Sequence, residues 1–135
     1  MRYLGWMAAL VAALAAGVSL AATPAGELAR FEAEAKSAAP AFGGFSAQRG
    51  EALFKATHGK EWSCATCHTA NPADPGRHAV TGRRIAPLAP SANAERFSDS
   101  ANVDKWFRRN CNDVLGRPCT ALEKGDVLQF LMNVK

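Results

Sequence analysis

The five residues Cys64-Ala65-Thr66-Cys67-His68 constrain this chain more than any other part of its sequence. Two thiols three positions apart, followed at once by an imidazole, can form thioethers to two haem vinyl groups and present a ring nitrogen to the iron. Two other sites use the same residue types, a zinc centre and a thioredoxin-like dithiol. Zinc would want a second close ligand pair, whereas the remaining cysteines, Cys111 and Cys119, lie eight positions apart. A redox dithiol would sit in a βαβ pattern, and none surrounds the motif. The motif predicts one covalent haem c, held by Cys64 and Cys67, with His68 on one side of its iron.

The first residues, MRYLGWMAALVAALAAGVSLAATPAG, combine a positive charge at Arg2, an apolar run from Leu4 to Leu20 and a small-residue exit at Ser19-Leu20-Ala21. That is the layout of a secretory signal peptide. A membrane anchor is the competing reading, but the run is as short as a span can be and ends at once in a cleavable site. The expectation is cleavage after Ala21, leaving residues 22–135 as one domain, periplasmic and without a stable membrane anchor. Two cysteine pairs in an exported chain suit an oxidising compartment. Of the 16 Lys and Arg residues Arg2 leaves with the leader, so the mature chain carries 15 against 12 acidic residues. Such a small, scattered excess does not point to nucleic acid; acidic redox partners or haem propionates account for it as well.

The chain otherwise reads as helices, giving an all-α fold. Thr23 caps a first helix over residues 24–37, with Pro24 at its first position and Leu28, Phe31 and Ala35 on one stripe. The helix stops near Pro40, Gly43 and Gly44 give a turn, and Ser46 caps a second helix to about Ala56 with Leu53 and Phe54 inward. From Thr69 to Ser98 there is little periodicity, four prolines and no alternation long enough for a sheet. A stretch like this needs something to wrap, and a haem would supply it. A third helix begins at Ser98, Asp99 or Ser100 and ends at Gly116. Thr120 and Glu123, in capping-box spacing, open the last helix, which buries Val127, Leu128, Phe130 and Leu131.

The second axial ligand is the open question. Met1 and Met7 leave with the leader and Met132 lies in the final turn of the last helix, so methionine is a poor candidate. His58, His78, an amide oxygen, or nothing remain. His58 sits in a Thr-His-Gly-Lys turn and His78 in the wrapping loop. Asn110 interrupts the stripe Val103, Trp106, Phe107, Val114, and a buried amide must find a polar partner. Trp106, on that stripe, is a candidate wall of the cofactor site. A carbonyl for the other His68 nitrogen is sought in Ile85-Ala86-Pro87-Leu88, although this turn could equally pack on the haem edge. Arg83 and Arg84 are candidates for pairing with haem propionates, against a reading as solvated loop residues. For Cys111 and Cys119 in an exported protein a disulfide is the leading reading, against free thiols or a metal. Closing so short a loop would contribute about 2 to 3 kcal/mol.

Cys64 to His68, Thr81-Gly82-Arg83, Ile85 to Ala92, Arg96-Phe97, Asp99-Ser100-Ala101, Lys105-Trp106, Arg109 to Asn112, Gly116-Arg117 and Cys119-Thr120 closely resemble the sphaeroides haem protein family of high-spin c-type cytochromes. The resemblance runs from about residue 46 to the C-terminus. It implies a class I cytochrome c fold, a disulfide at Cys111 and Cys119, and Asn110 as a sixth ligand in the ferric protein that leaves on reduction. It also implies oxygen or nitric oxide as ligand, with a dihaem cytochrome c and a membrane b-type cytochrome as partners. A neutral amide oxygen is a hard, weak donor that suits ferric better than ferrous iron. The chain departs from the family by an apparent one-residue insertion after His68 and by carrying His78 there, which keeps His78 as a competing ligand.

Two function classes follow. One is a haem protein that accepts an electron, opens its distal site and engages a small diatomic. The other is an electron shuttle with a permanent sixth ligand, His78. Oxygen or peroxide reduction grades into the first, but no distal acid and base pair of the kind such chemistry uses is visible.

Overall fold

A computed structural model describes residues 22–135; the expected signal peptide, residues 1–21, lies outside the described residues. Five helices and one minimal hairpin follow in the order α1 (Pro24–Ala38), α2 (Ala47–Lys55), α3 (Cys64–His68), β1 (Gly76–Arg77), β2 (Arg84–Ile85), α4 (Ser100–Leu115) and α5 (Ala121–Asn133). No helix among the described residues is long and apolar enough to cross a membrane.

Local chemistry sets the helix ends. Each N-cap side chain accepts a backbone N–H one turn on, Thr23 from Gly26, Ser46 from Arg49, Asp99 from Asn102 and Thr120 from Glu123. These bonds satisfy donors that would otherwise have no partner. Thr120 and Glu123 close a reciprocal capping box, and α4 ends at Gly116 in the left-handed conformation, φ 70°. The short α3 coincides with the cysteine motif and opens on a second capping box, formed by Ser63 just before the motif and Thr66 within it. Between α1 and α2 the hydrogen-bonded turn lies one step earlier than the glycines suggest. Phe42 N donates to Ala39 O at 2.9 Å, and only Gly44 takes a positive φ, 98°.

The core forms where α5 is crossed by α2 and flanked by α1. Phe54 packs with Val127, Phe130 and Leu131, and Phe31 with Val103 and Leu128. The α2–α5 crossing is close enough that a Cβ on Gly50 would lie 1.9 Å from the Asp126 carbonyl oxygen. Buried Asp126 accepts Ser46 N at 2.7 Å and the Arg49 guanidinium at 2.7 and 2.9 Å, so the start of α2 is tied to α5 by charge as well as by packing. On the other flank Glu27, 2% exposed, accepts from Arg30 and from Ser100 at the start of α4.

Residues 69–98, expected to lack a sheet, contain the hairpin: Gly76 pairs with Ile85 and Arg77 with Arg84, antiparallel. Two residues per strand are too few for an alternating pattern to register. The rest of the stretch is organised around the buried Pro72, whose carbonyl accepts both Leu88 N and Ala89 N at 2.9 Å.

Candidate functional site

A cavity of about 1070 Å³ opens between α2, α3, the hairpin, residues 95–99, α4 and α5. It is at the upper end of what small-molecule sites enclose. Of the residues singled out by sequence, it brings together Cys64, Cys67, His68, His78, Arg83, Arg84, Trp106, Asn110, Cys111 and Cys119. Pro87 is not on its wall, although its neighbours Ala86 and Leu88 are. His58 is also absent; its Nε2 lies 2.8 Å from the Leu53 carbonyl oxygen.

The two motif cysteines are free thiols. Burial, with the neighbouring Cys67 adding to it, pushes the Cys64 thiol up to about 11, so Cys64 stays protonated at neutral pH. Among the described residues no three His, Cys, Asp or Glu side chains gather as a metal site. Burial, assisted by the positive charge of Arg96, pushes the His68 imidazolium down to about 4. The ring is therefore neutral at physiological pH, the form that binds metal. Its Nδ1 is buried without a hydrogen-bond partner.

The carbonyl sought for that nitrogen at Pro87 is engaged elsewhere. It accepts Arg96 Nε at 2.8 Å and Asn93 Nδ2 at 3.3 Å, while Arg96 Nη2 donates to Ala86 O at 2.7 Å. Both lone pairs of the Pro87 oxygen are thus taken by side chains that follow it, which a reading of the turn alone could not anticipate. Arg96 is the residue of this site that sequence reasoning missed as a contributor. A lone arginine in an irregular stretch gives no periodic or capping signal.

His78 faces the cavity in the hairpin loop, where its Nδ1 accepts the backbone N–H groups of Val80 and Thr81, both at 3.2 Å. Nδ1 cannot both accept these bonds and carry the proton of an imidazole that ligates through Nε2, so a bond from His78 to iron would break them. Asn110 lines the cavity from α4, half-buried and next to Cys111. Cys111 and Cys119 are joined in a disulfide with Cα atoms 5.6 Å apart, which fixes the end of α4 to the start of α5. Trp106, counted on an apolar stripe, is 48% exposed and lies between Lys105 and Arg109, whose charges stand 5.3 and 5.6 Å from its ring. Met132 packs beside Phe31, Val103 and Leu128, away from the cavity.

The donor set fits a haem: two thiols for its vinyl groups, a neutral buried imidazole for its iron, apolar walls for the macrocycle and arginines for its carboxylates. A helical fold with such a donor set on the wall of one cavity defines a c-type cytochrome. The comparisons agree. The family model described as "Domain of unknown function (DUF1924)" matches residues 40–131. The chain is 48% identical over 128 residues to the cytochrome c-type protein SHP of Cereibacter sphaeroides, an alignment covering 90% of this chain and 94% of that protein. The structure of oxidised SHP, an oxygen-binding cytochrome c, is similar with TM-score 0.73 at 47% identity, over 82% of this chain and 96% of that one. A solution structure of cytochrome c″ from Methylophilus methylotrophus, addressed to haem-ligand detachment, gives TM-score 0.72 at 34% identity, over 82% and 92% of the two chains. This chain belongs to the sphaeroides haem protein family of c-type cytochromes, and its cofactor is one covalently bound haem c.

Proposed function

We propose that the chain is exported to the periplasm with loss of residues 1–21, that Cys64 and Cys67 would hold its haem with His68 as a ligand of the iron, and that Asn110 would be a second, displaceable ligand. When bound, haem c would supply an iron that accepts one electron and takes a small diatomic such as oxygen or nitric oxide. His68 stays neutral and fixed by burial. The Asn110 amide, a weak hard donor, would suit the oxidised iron better than the reduced one and would be the displaceable contact. The disulfide at Cys111 ties the helix that carries Asn110 to the start of α5. Arg83 and Arg84 at the rim pair with a propionate, and Trp106 walls the cofactor. Other haem proteins, a dihaem cytochrome c and a membrane b-type cytochrome, serve as redox partners.

One observation carries this reading: Asn110 shares the cavity with Cys64, Cys67 and His68, while the wall contains no methionine among the described residues. The relatives support it, one being an oxygen-binding cytochrome c and another studied for haem-ligand detachment. His78 also faces the cavity and supports the electron-shuttle alternative, against which its Nδ1 bonds argue.

Absorption spectra of ferric and ferrous protein, with and without carbon monoxide, test the proposal. The ferric form should show high-spin character and the ferrous form should bind carbon monoxide quickly. Asn110→Ala should open the ferric site to water or small anions with haem attachment intact, and His78→Ala should change little. A ferric spectrum altered by His78→Ala instead, with ferrous protein refusing carbon monoxide, would establish the shuttle.

A further inference from the structure

The turn between β1 and β2 holds an apolar side chain out in solvent on a fixed backbone. Val80 is 68% exposed, more than any other large hydrophobic residue among those described. One exposed valine is ordinary in itself. Here, though, every backbone N–H from His78 to Arg83 has a partner. His78 N donates to Arg83 O and Gly82 N to His78 O, both at 2.9 Å; Val80 N and Thr81 N share His78 Nδ1, and Arg83 N reaches Thr81 Oγ1 at 3.4 Å. Arg77 braces the turn, its Nη1 donating to Gly82 O at 2.8 Å. The remaining donor, Ala79 N, meets the Cys67 sulfur at 3.4 Å. The main chain beside Val80 is thus one hydrogen bond from an atom that would attach the cofactor. Positive charge surrounds the tip. Arg77, Arg83 and Arg84 are exposed and form no salt bridge among the described residues, and Asp74 is the one carboxylate in residues 69–94. Elsewhere exposed cations are neutralised within their own helices, Lys36 by Glu32 and Lys55 by Glu51.

We propose that the Val80 tip is the docking site of an electron-donating protein whose surface presents carboxylates around an apolar spot. The inference rests on haem c occupying the cavity, and it gives the redox partners a place to bind. The three arginines steer an acidic surface towards the tip and set its orientation. Val80, already held by the turn, covers the centre of the contact with little further loss of backbone freedom. One electron leaves the reduced partner and is taken by ferric iron; no bond is made or broken and no proton moves. An anionic lipid surface also attracts arginines, but a single valine offers it too little apolar area for insertion.

The test uses holoprotein and two probes, flavodoxin as an acidic protein and lumiflavin as a small neutral donor. Calorimetry reads the binding of oxidised flavodoxin to oxidised holoprotein, where no electron passes, and flash photolysis reads reduction by each photoreduced probe. Wild type should bind flavodoxin, more weakly as salt rises. Val80→Asp should weaken that binding and slow reduction by flavodoxin about tenfold at low salt, with reduction by lumiflavin within about twofold of wild type. Arg83→Gln with Arg84→Gln should weaken binding about tenfold as well. Lys60→Gln with Arg108→Gln removes the same charge from exposed cations outside the hairpin and should alter binding less than about twofold. Equal losses from the two double variants overturn the proposal, because net charge alone would then be at work. So does wild type without salt-dependent affinity for flavodoxin, or a Val80→Asp variant that behaves as wild type. A Val80→Asp variant that loses affinity for phosphatidylglycerol vesicles but keeps it for flavodoxin also overturns it and makes the tip a membrane contact. In each of these cases reduction by lumiflavin leaves the haem reading standing, whereas wild type that takes no electron from lumiflavin overturns both.

Discussion

Gly76 lies against the carbonyl of Cys67 so closely that a Cβ on it would stand 2.0 Å from the oxygen and 3.0 Å from His68 Cα. The hairpin therefore rests on the C-terminal end of the cysteine motif, and no side chain fits between them. Gly76→Ala should destabilise the protein by about 2 kcal/mol or more, since neither backbone can yield cheaply. Gly82→Ala, at φ 68° with open space around it, should cost about 1 kcal/mol from backbone conformation alone. Denaturant titrations of the two variants make the comparison; equal losses would show that the contact with Cys67 relaxes.

Cys64→Ser or Cys67→Ser should give little stable holoprotein after export. Cys64 and Ala65 pack on the cluster of Phe54, Val127, Phe130 and Leu131, and the cavity beside it is too large for side chains to fill by collapse. Haem content and cooperative melting measure this. Full yield of a cooperatively folded, haem-free variant would contradict it.

Non-reducing mass spectrometry of the mature protein should show the two-hydrogen deficit of the Cys111–Cys119 bond. Replacing both with Ser should lower stability by about 2 to 3 kcal/mol, given the separation of eight residues. Two alkylatable thiols in native protein purified without reductant would be the contrary result.

Hydrogen bonds from Arg117 hold the Glu123 carboxyl below the usual carboxylate range, with burial opposing and the Thr120 amide assisting. A carboxylate depressed in the folded state contributes stability above its unfolded pKa and loses it as pH falls through the folded one. Glu123→Gln should therefore melt earlier than wild type at neutral pH, and the gap should close on acidification below about pH 4. Melting curves across that range would refute the assignment if the gap were constant.

What could be read in advance is what acts over three or four residues. Thr23, Ser46, Asp99, Thr120 and Gly116 mark helix ends by bonds within one turn, and Cys64 to His68 carries its chemistry in its own spacing. What escaped depends on contacts across the fold. Gly50 reads as a poor helix residue until Asp126 is seen beside it, and the Arg96 bonds reach the Pro87 and Ala86 carbonyls across nine and ten positions of irregular chain. Trp106 shows the limit of periodicity, since the stripe it belongs to faces a cavity rather than a filled core.

The crossing of α2 and α5 has a kinetic side. Arg49 and Asp126 are 77 positions apart, and for a flexible chain that closure carries an entropic cost of about 4 kcal/mol from its length alone. A helical protein would ordinarily fold through local contacts, but here the central pairing is non-local and the intervening chain is largely irregular. A group tethered at Cys64 and Cys67 sits inside that interval and beside residues of both helices. It divides one long search into two shorter ones, so the rate of folding, as well as the final stability, should depend on the moment of attachment.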